Sequence, residues 1–397
     1  MRIGVLKLDH VGDFWMALRA LNLLREQFRD AHITLITASW NIASARQLGV
    51  ADDFVAYDFF SRNPRLVSNK TIKAPAIDRL VGEPFDLAID LRVPLETRSV
   101  LKSVPALRRA AIADKHKLPW VDIAVPPLPI RVRRPLLFRL AELLRLPPRA
   151  RWLVDPHYRR RRANIQHMED MLSFLVAKVV MSYSGDRALS GSVFQASPPS
   201  RRPIVIAPTS NSQLRDWPAD RFGCLIARLE SLGSPISLIG RPESESVIDA
   251  IVEAAAANGA IRANVSSSCR LPDDDFVAYL ATARLVISNN SGAGHVAARL
   301  GIPTIGIYTA SHLPDLWGFR GPKVSMMVAN IECGGCGFDV VSRCPRAVRC
   351  KFAIEPEDVW AEVDALMTAA EGNTAATTAA PGLGDDFREK AREPVGG

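Results

Sequence analysis

The chain has 397 residues, 48% of them hydrophobic and 23% charged, a length that carries two or three domains with full cores. No stretch approaches the roughly 18 uncharged apolar residues that a membrane-spanning helix needs, so membrane-spanning classes are excluded. The net charge of +8 is uneven, +12 over residues 1–185 and −4 over residues 186–397.

Elements alternate strand and helix from the start. Ile3–Leu8 is a short apolar run, Phe14, Ala17, Leu18, Leu21, Leu24 and Phe28 recur at helical spacing, and His32–Thr37 reads as the next strand. This is a βαβ unit on a parallel sheet. Asp86–Leu91 and Arg109–Ala113 fit further strands of the same sheet, and a first domain is expected over residues 1–185. Within it, Arg131–Arg162 holds eleven arginines and two acids interleaved with leucines. That composition suits an anionic lipid surface or a phosphorylated substrate, or simply a solvated helix flank. No RNA- or DNA-binding motif accompanies it, so nucleic acid is not expected as a partner.

Residues 186–202, rich in Ser, Gly and Pro, read as a linker. A second series follows over residues 203–371. Ile204–Ala207, Ile236–Ile239, Arg284–Ser288 and Thr304–Tyr308 are strands, and Asp220–Leu232, Glu243–Ala257 and Ala293–Leu300 are helices. Two doubly wound α/β domains in tandem follow, with ligands expected outside the carboxyl ends of the strands, in the cleft between facing domains. Residues 372–397 read as a disordered tail.

Three strand-end loops carry chemistry. In Lys7-Leu-Asp-His-Val-Gly-Asp13, Asp13 stands where a helix begins and either caps it or serves as a base, being ionised at neutral pH; Gly12 lets a substrate approach the backbone. In Ala207–Pro218, Thr209, Ser210 and Arg215 offer hydrogen bonds and charge to phosphates, unless the segment is only a turn leading into the helix that Pro218 starts. In Ser288–Ala297, Gly292-Ala-Gly294-His295-Val-Ala297 matches the glycine-rich strand-to-helix pattern whose N–H groups bind phosphate. The following strand ends Ile307-Tyr-Thr-Ala310 without the acid of an NAD site, so a nucleotide diphosphate fits better than a dinucleotide.

These loops together carry a resemblance. Lys-Leu-Asp-His-Val-Gly-Asp at the N-terminus, Arg-x-Trp-Pro-x-x-x-Phe at 215–222, Ser-x-x-Ser-Gly-x-x-His at 288–295 and Gly-Ile-Pro-Thr at 301–304 occur in this order. The chain resembles a family-nine glycosyltransferase, of the ADP-heptose:lipopolysaccharide heptosyltransferase group. The resemblance implies a GT-B fold, two Rossmann-like domains facing a central cleft, with acceptor in the first and nucleotide sugar in the second. It implies an inverting, metal-independent, cytoplasmic enzyme of lipopolysaccharide biosynthesis, peripheral on the inner membrane. Such an enzyme moves a heptose-like sugar from ADP-heptose to an anionic glycan or glycolipid. By the same resemblance Asp13 is the base, Arg215 stands beside the donor phosphates with Thr209 and Ser210, and Ser291, Gly292 and His295 form the phosphate loop. Glu243 or Glu245 is the candidate for the nucleoside. The family usually has Asp where this chain has Asn290, which loses a charge and adds donors. A non-catalytic or divergent nucleotide-sugar-binding relative and a two-domain nucleotide-sugar epimerase are the alternatives.

Cys333, Cys336, Cys344 and Cys350 begin with a CxxC spacing and either hold a structural zinc or remain reduced or redox-paired loop thiols. Asp273-Asp-Asp275 precedes Phe276, Tyr279 and Leu280 at helical spacing, so its acids are expected in a helix's first turn. No catalytic metal is expected there. The beginning of the chain lacks the pattern of a secretory signal, which agrees with a cytoplasmic setting.

Overall fold

The computed structural model describes residues 1–62, 76–127, 167–184 and 202–372, apart from 310, 332, 333, 337, 339 and 345. These fall into two compact units, one holding residues 1–127 and 167–184 and the other residues 202–372. The basic segment Arg131–Arg162, the linker at 186–201 and the tail from 373 lie outside the described residues.

The first unit is built on β1 (Arg2–Lys7), β2 (His32–Thr37), β3 (Asp53–Ala56), β4 (Phe85–Asp90), β5 (Ala106–Ile112) and β6 (Ile123–Val125). The second is built on β7 (Ile204–Ala207), β8 (Ile236–Ile239), β9 (Val265–Ser268), β10 (Leu285–Asn289), β11 (Thr304–Tyr308) and β12 (Val324–Val328). The sheet orders are β3-β2-β1-β4-β5-β6 and β12-β11-β10-β7-β8-β9. Every adjacent pair is parallel. Counted within its own unit, each sheet runs third, second, first, fourth, fifth, sixth, the doubly wound order whose direction reverses between the first and fourth strands.

Central strands are buried on both faces, which is why they read as unbroken apolar runs. Ile3, Val5 and Leu6 of β1, and Ile204, Val205 and Ile206 of β7, are fully buried. In the second unit Phe222, Leu225, Ile226 and Leu229 of helix Ala219–Leu229 pack on the same core as Ile206, Leu238 and Ile287. That helix meets helix Glu245–Ala257 at Gly223, where a Cβ would lie 2.5 Å from Ala254 Cβ. The single helical pattern read over Phe14–Phe28 is corrected to two helices, Val11–Met16 and Leu18–Gln27, divided at Ala17.

Register determines which loops adjoin at each reversal. Leu6 of β1 pairs with Asp90 of β4, so residues 8–13 lie beside residues 91–98. Ser288 of β10 pairs with Ala207 of β7, so residues 290–295 lie beside residues 208–215. In the first unit a buried ion pair sets the β4 end. Asp90 and Arg98 are 1% and 3% exposed and form a salt bridge. Thr97 Oγ1 donates to Asp90 Oδ2 at 2.7 Å. Arg98 Nη2 donates to the carbonyl oxygens of Arg92 at 2.6 Å and Ile112 at 2.7 Å, which ties the loop after β4 to the end of β5.

Removing one member of such a pair strands the other charge without water. Arg98→Ala is expected to destabilise the first unit by about 3–5 kcal/mol, read as a lowered urea midpoint of the full chain. A loss below about 1 kcal/mol would show that the pair does not hold the loop.

Candidate functional site

At the first reversal the helix following β1 starts at Val11 with His10 as its N-cap residue. Asp13 therefore stands in the first turn and not at the cap, partly exposed like Gly12 beside it. Side chains that water barely reaches occupy the strand end just before it. Lys7, 3% exposed, forms an ion pair of 2.7 Å with Asp9, itself 1% exposed. The other Asp9 oxygen pairs with Arg92. Burial pushes the Lys7 ammonium down to about 8; Arg92 and Arg98 push the same way, and the Asp13 and Asp90 carboxylates pull it back up. The Arg92 guanidinium lies over the Phe60 ring, 4.4 Å from its centroid. His10 stacks on Trp40 and on Phe60 and places a ring nitrogen 3.0 Å from the Ser61 carbonyl oxygen. A partly exposed carboxylate at a strand end, backed by cations, can take a proton from a hydroxyl placed against it.

At the second reversal the loop after β7 is internally braced. Ser210 N–H donates to Asp216 Oδ1 at 2.8 Å, and Ser210 Oγ donates to the Ser212 carbonyl oxygen at 2.9 Å. The Ser210 hydroxyl thus shapes the turn, whereas Thr209 is partly exposed and its Oγ1 lies 3.1 Å from Ser244 Oγ, at the start of helix Glu245–Ala257. Arg215 ends the short 3-10 turn Gln213–Arg215. Burial pushes the Tyr308 phenol well above its usual value, opposed by the hydrogen bond it accepts from Phe319 N–H and, less, by the Arg215 charge.

Sequence reading missed Asn289. This buried amide accepts from Trp217 N–H at 3.2 Å and donates to the Pro208 carbonyl oxygen, clamping the loop after β7 to the end of β10. Its neighbour Asn290 is 5% exposed, and Asn290 Nδ2 makes no hydrogen bond among the described residues. Ser291 turns its hydroxyl to Ser288 Oγ at 2.8 Å and does not cap helix Gly292–Arg299. The N–H groups of that first turn therefore carry no side-chain cap, and a helix start of this kind attracts anions.

Gly294 and His295 have a packing reason for their identity. A Cβ at Gly294 would lie 2.1 Å from Phe319 Cζ, and the buried His295 ring meets Phe319 edge to face, with centroids 4.8 Å apart. Of the two acids named for a nucleoside, Glu245 lines a cavity of about 380 Å³ with Asp249, Ser267, Ser268, Cys269 and Arg270. Glu243 lies in the 3-10 turn Pro242–Ser244 just before it. Asp273, Asp274 and Asp275 occupy the first turn of helix Asp273–Ala281. Cys350 is buried against the core of the second unit, with Cys344 packed on it. Cys333 lies outside the described residues, among which no three His, Cys, Asp or Glu side chains gather as a metal site.

The model of glycosyltransferase family 9 (heptosyltransferase) matches residues 164–339. The chain is similar in structure to the family 9 glycosyl transferase from Veillonella parvula DSM 2008, with TM-score 0.66 and 16% identity over 93% of this chain and 97% of that one. It is similar to E. coli ADP-heptose lps heptosyltransferase II, with TM-score 0.64 and 17% identity over 94% and 100% of the two chains. It is similar also to E. coli heptosyltransferase WaaC with ADP, with TM-score 0.63 and 15% identity over 92% and 100%. No curated protein sequence matches it. The structural likeness establishes the fold, and with the family match it supports glycosyltransferase activity.

Arg215→Ala removes a charged donor from the second reversal, a contact class worth about 1.5–3 kcal/mol. Any nucleoside diphosphate bound at this reversal is expected to lose at least about tenfold in affinity, read by titration calorimetry with ADP, GDP and UDP, and unchanged affinity for all three would remove Arg215 from the site.

Proposed function

We propose that this chain is a family-nine glycosyltransferase, an inverting, metal-independent enzyme that moves a heptose-like sugar from a nucleotide diphosphate sugar, ADP-heptose first among donors, to a lipopolysaccharide-type or other glycan. The observation that carries this reading is the pair of equivalent strand-order reversals. One presents a carboxylate, Asp13, and the other presents Thr209, Arg215, Asn290 and an uncapped helix start.

In this reading Asp13 accepts the proton of an acceptor hydroxyl as that oxygen attacks the anomeric carbon. The bond from that carbon to the phosphate oxygen breaks in the same step, and its electron pair leaves with the nucleoside diphosphate. A single displacement inverts the anomeric centre. Charge grows on the leaving phosphate, where Arg215 and the N–H groups at Gly292–Gly294 can stabilise it, a duty that a divalent cation performs in other transferases. The E. coli WaaC structure with ADP bound makes ADP the first nucleotide to test. Glu245 and its cavity are assigned to the nucleoside. The acceptor is proposed to be anionic, matching the +12 charge of residues 1–185.

No helix among the described residues is long and apolar enough to cross a membrane. Attachment to an inner-membrane surface is therefore assigned to the charge of Arg131–Arg162, each cation adding about 1 kcal/mol near anionic lipid.

Two measurements test these assignments. With a panel of ADP, GDP and UDP sugars, acceptor-dependent transfer by wild type and its loss by at least about a hundredfold in kcat for Asp13→Asn are expected; near-wild-type turnover of that variant would sink the base, and donor hydrolysis without transfer would sink the acceptor. Co-sedimentation with vesicles should require anionic lipid, weaken as salt rises, and drop when Arg159, Arg160, Arg161 and Arg162 become Gln. Equal sedimentation with neutral vesicles would discard the membrane assignment.

A further inference from the structure

The strand beside the second reversal adds a third loop to the same sheet edge. Ile307 of β11 pairs with Asn289 of β10, so the chain leaving Tyr308 stands beside the segment that leads into helix Gly292–Arg299. Contacts tie that loop to both halves of the candidate site. Thr309, 1% exposed, donates its hydroxyl to the Leu214 carbonyl oxygen at 2.9 Å, one residue before Arg215. Phe319, 2% exposed, lies against Gly294 and meets the His295 ring edge to face. The Tyr308 hydroxyl donates to the Trp317 carbonyl oxygen at 3.1 Å and accepts from Phe319 N–H at 3.2 Å, so the chain leaves β11 and returns to it within a short, braced span. Ser311, Leu313 and Leu316 are buried within that span, whereas His312 and Trp317 are partly exposed.

The His312 and Trp317 rings meet at 75° with centroids 6.3 Å apart, and Ser311 Oγ lies 3.4 Å from His312 Nδ1. An imidazole beside an indole joins a hydrogen-bonding nitrogen to a flat apolar surface. That pairing suits a molecule with hydroxyls on its rim and C–H groups on its faces, which is a sugar ring. The sheet edge also orders the parts of a nucleotide sugar. Taken along β9-β8-β7-β10-β11, it carries first the cavity of Glu245, Ser267 and Ser268 at the ends of β8 and β9. Thr209, Arg215 and the uncapped helix start follow at β7 and β10, and His312 and Trp317 come last, after β11. A nucleoside in the first place and a diphosphate in the second leave the third for the sugar. We propose that His312 and Trp317 bind the sugar of the nucleotide donor, an imidazole nitrogen hydrogen-bonding a sugar hydroxyl and the indole lying against the C–H face. The proposal rests on the reading of the second unit as the donor site, and it names the residues that select the sugar, since a site built to hydrogen-bond a hydroxyl discriminates against a ligand that lacks it.

The test compares each nucleotide with its own sugar conjugate by titration calorimetry on the full chain: ADP with ADP-heptose, GDP with GDP-mannose and UDP with UDP-glucose. The quantity read is the ratio of the two dissociation constants for the pair that wild type binds. His312→Phe keeps a ring against Trp317 and removes the nitrogens. It is expected to hold the free nucleotide within about twofold and to weaken the conjugate by about three- to tenfold, the range of one hydrogen bond. His312→Gln, which keeps a hydrogen-bonding side chain, should lose less, and Trp317→Phe, which trims the flat surface, should also weaken the conjugate more than the nucleotide. An unchanged ratio in His312→Phe, whether both ligands hold or both weaken together, overturns the proposal; should that variant not fold, an unchanged ratio in Trp317→Phe does so. Wild type that binds none of the three nucleotides, free or conjugated, would instead remove the donor-site reading itself, so the two failures are distinguishable.

Discussion

The salt bridge between Asp90 and Arg98 is the contact on which the first reversal depends. Desolvating two charges costs several kcal/mol each, and a buried pair is often no more stabilising than apolar groups of the same volume. What it supplies here is position. One guanidinium grips Asp90 on β4 and also the carbonyl oxygens of Ile112 at the end of β5 and Arg92 in the loop between them. With its backbone held, Arg92 can bring its own guanidinium to Asp9 across the neighbouring loop. Asp9 in turn holds Lys7. The contacts thus run from the ends of β5 and β4 to Lys7 and Asp9, at the start of the segment that leads into helix Val11–Met16.

The second unit meets the same geometric demand with neutral groups. Asn289 bridges its two loops with one amide, and Ser288 and Ser291 close on each other. The buried carboxylate in this region, Asp216, accepts the Ser210 N–H. A region meant to receive an anion gains by being braced with amides and hydroxyls, because a braced carboxylate network would oppose the ligand's charge. Arg215 and an uncapped helix start then tip the balance toward positive. The first unit braces its reversal the other way, with buried carboxylates held by Lys7, Arg92 and Arg98.

How much of this was legible in the sequence follows from where each strand sits. Ile204–Ala207, Ile236–Ile239, Thr304–Tyr308 and His32–Thr37 were read with the bounds that the structure shows, because an interior strand of a parallel sheet must be apolar on both faces. The strands without a sequence reading are β3, β6, β9 and β12, the four edges of the two sheets. An edge strand has one neighbour and one wet side, so it can be as short as Ile123–Val125 or as polar as the Val-Ser-Ser-Ser of β9. Helix Met168–Ser184 has apolar side chains on most of its faces and so offers little 3.6-residue contrast to find.

The site divides along a similar line. The candidate loops announced themselves, since Gly12, Asp13, Thr209, Arg215 and Asn290 cluster in short segments at strand ends. Supports such as Asp90, Arg92 and Arg98 did not, because they sit on the other strand of the first reversal. Asp90 and Arg98 lie more than seventy residues from Asp13, and a charged residue after a strand reads as an ordinary exposed loop. Only the pairing of β1 with β4, opposite in rank but adjacent in space, puts Leu6 against Asp90 and turns scattered charges into one buried cluster. Asn289 is the counterpart in the second unit, given no role in the sequence reading although its amide clamps the loop after β7. At the first reversal the strand order thus separates Asp90, Arg92 and Arg98 in sequence from the loop they brace, and their role becomes visible only once the sheet order is known.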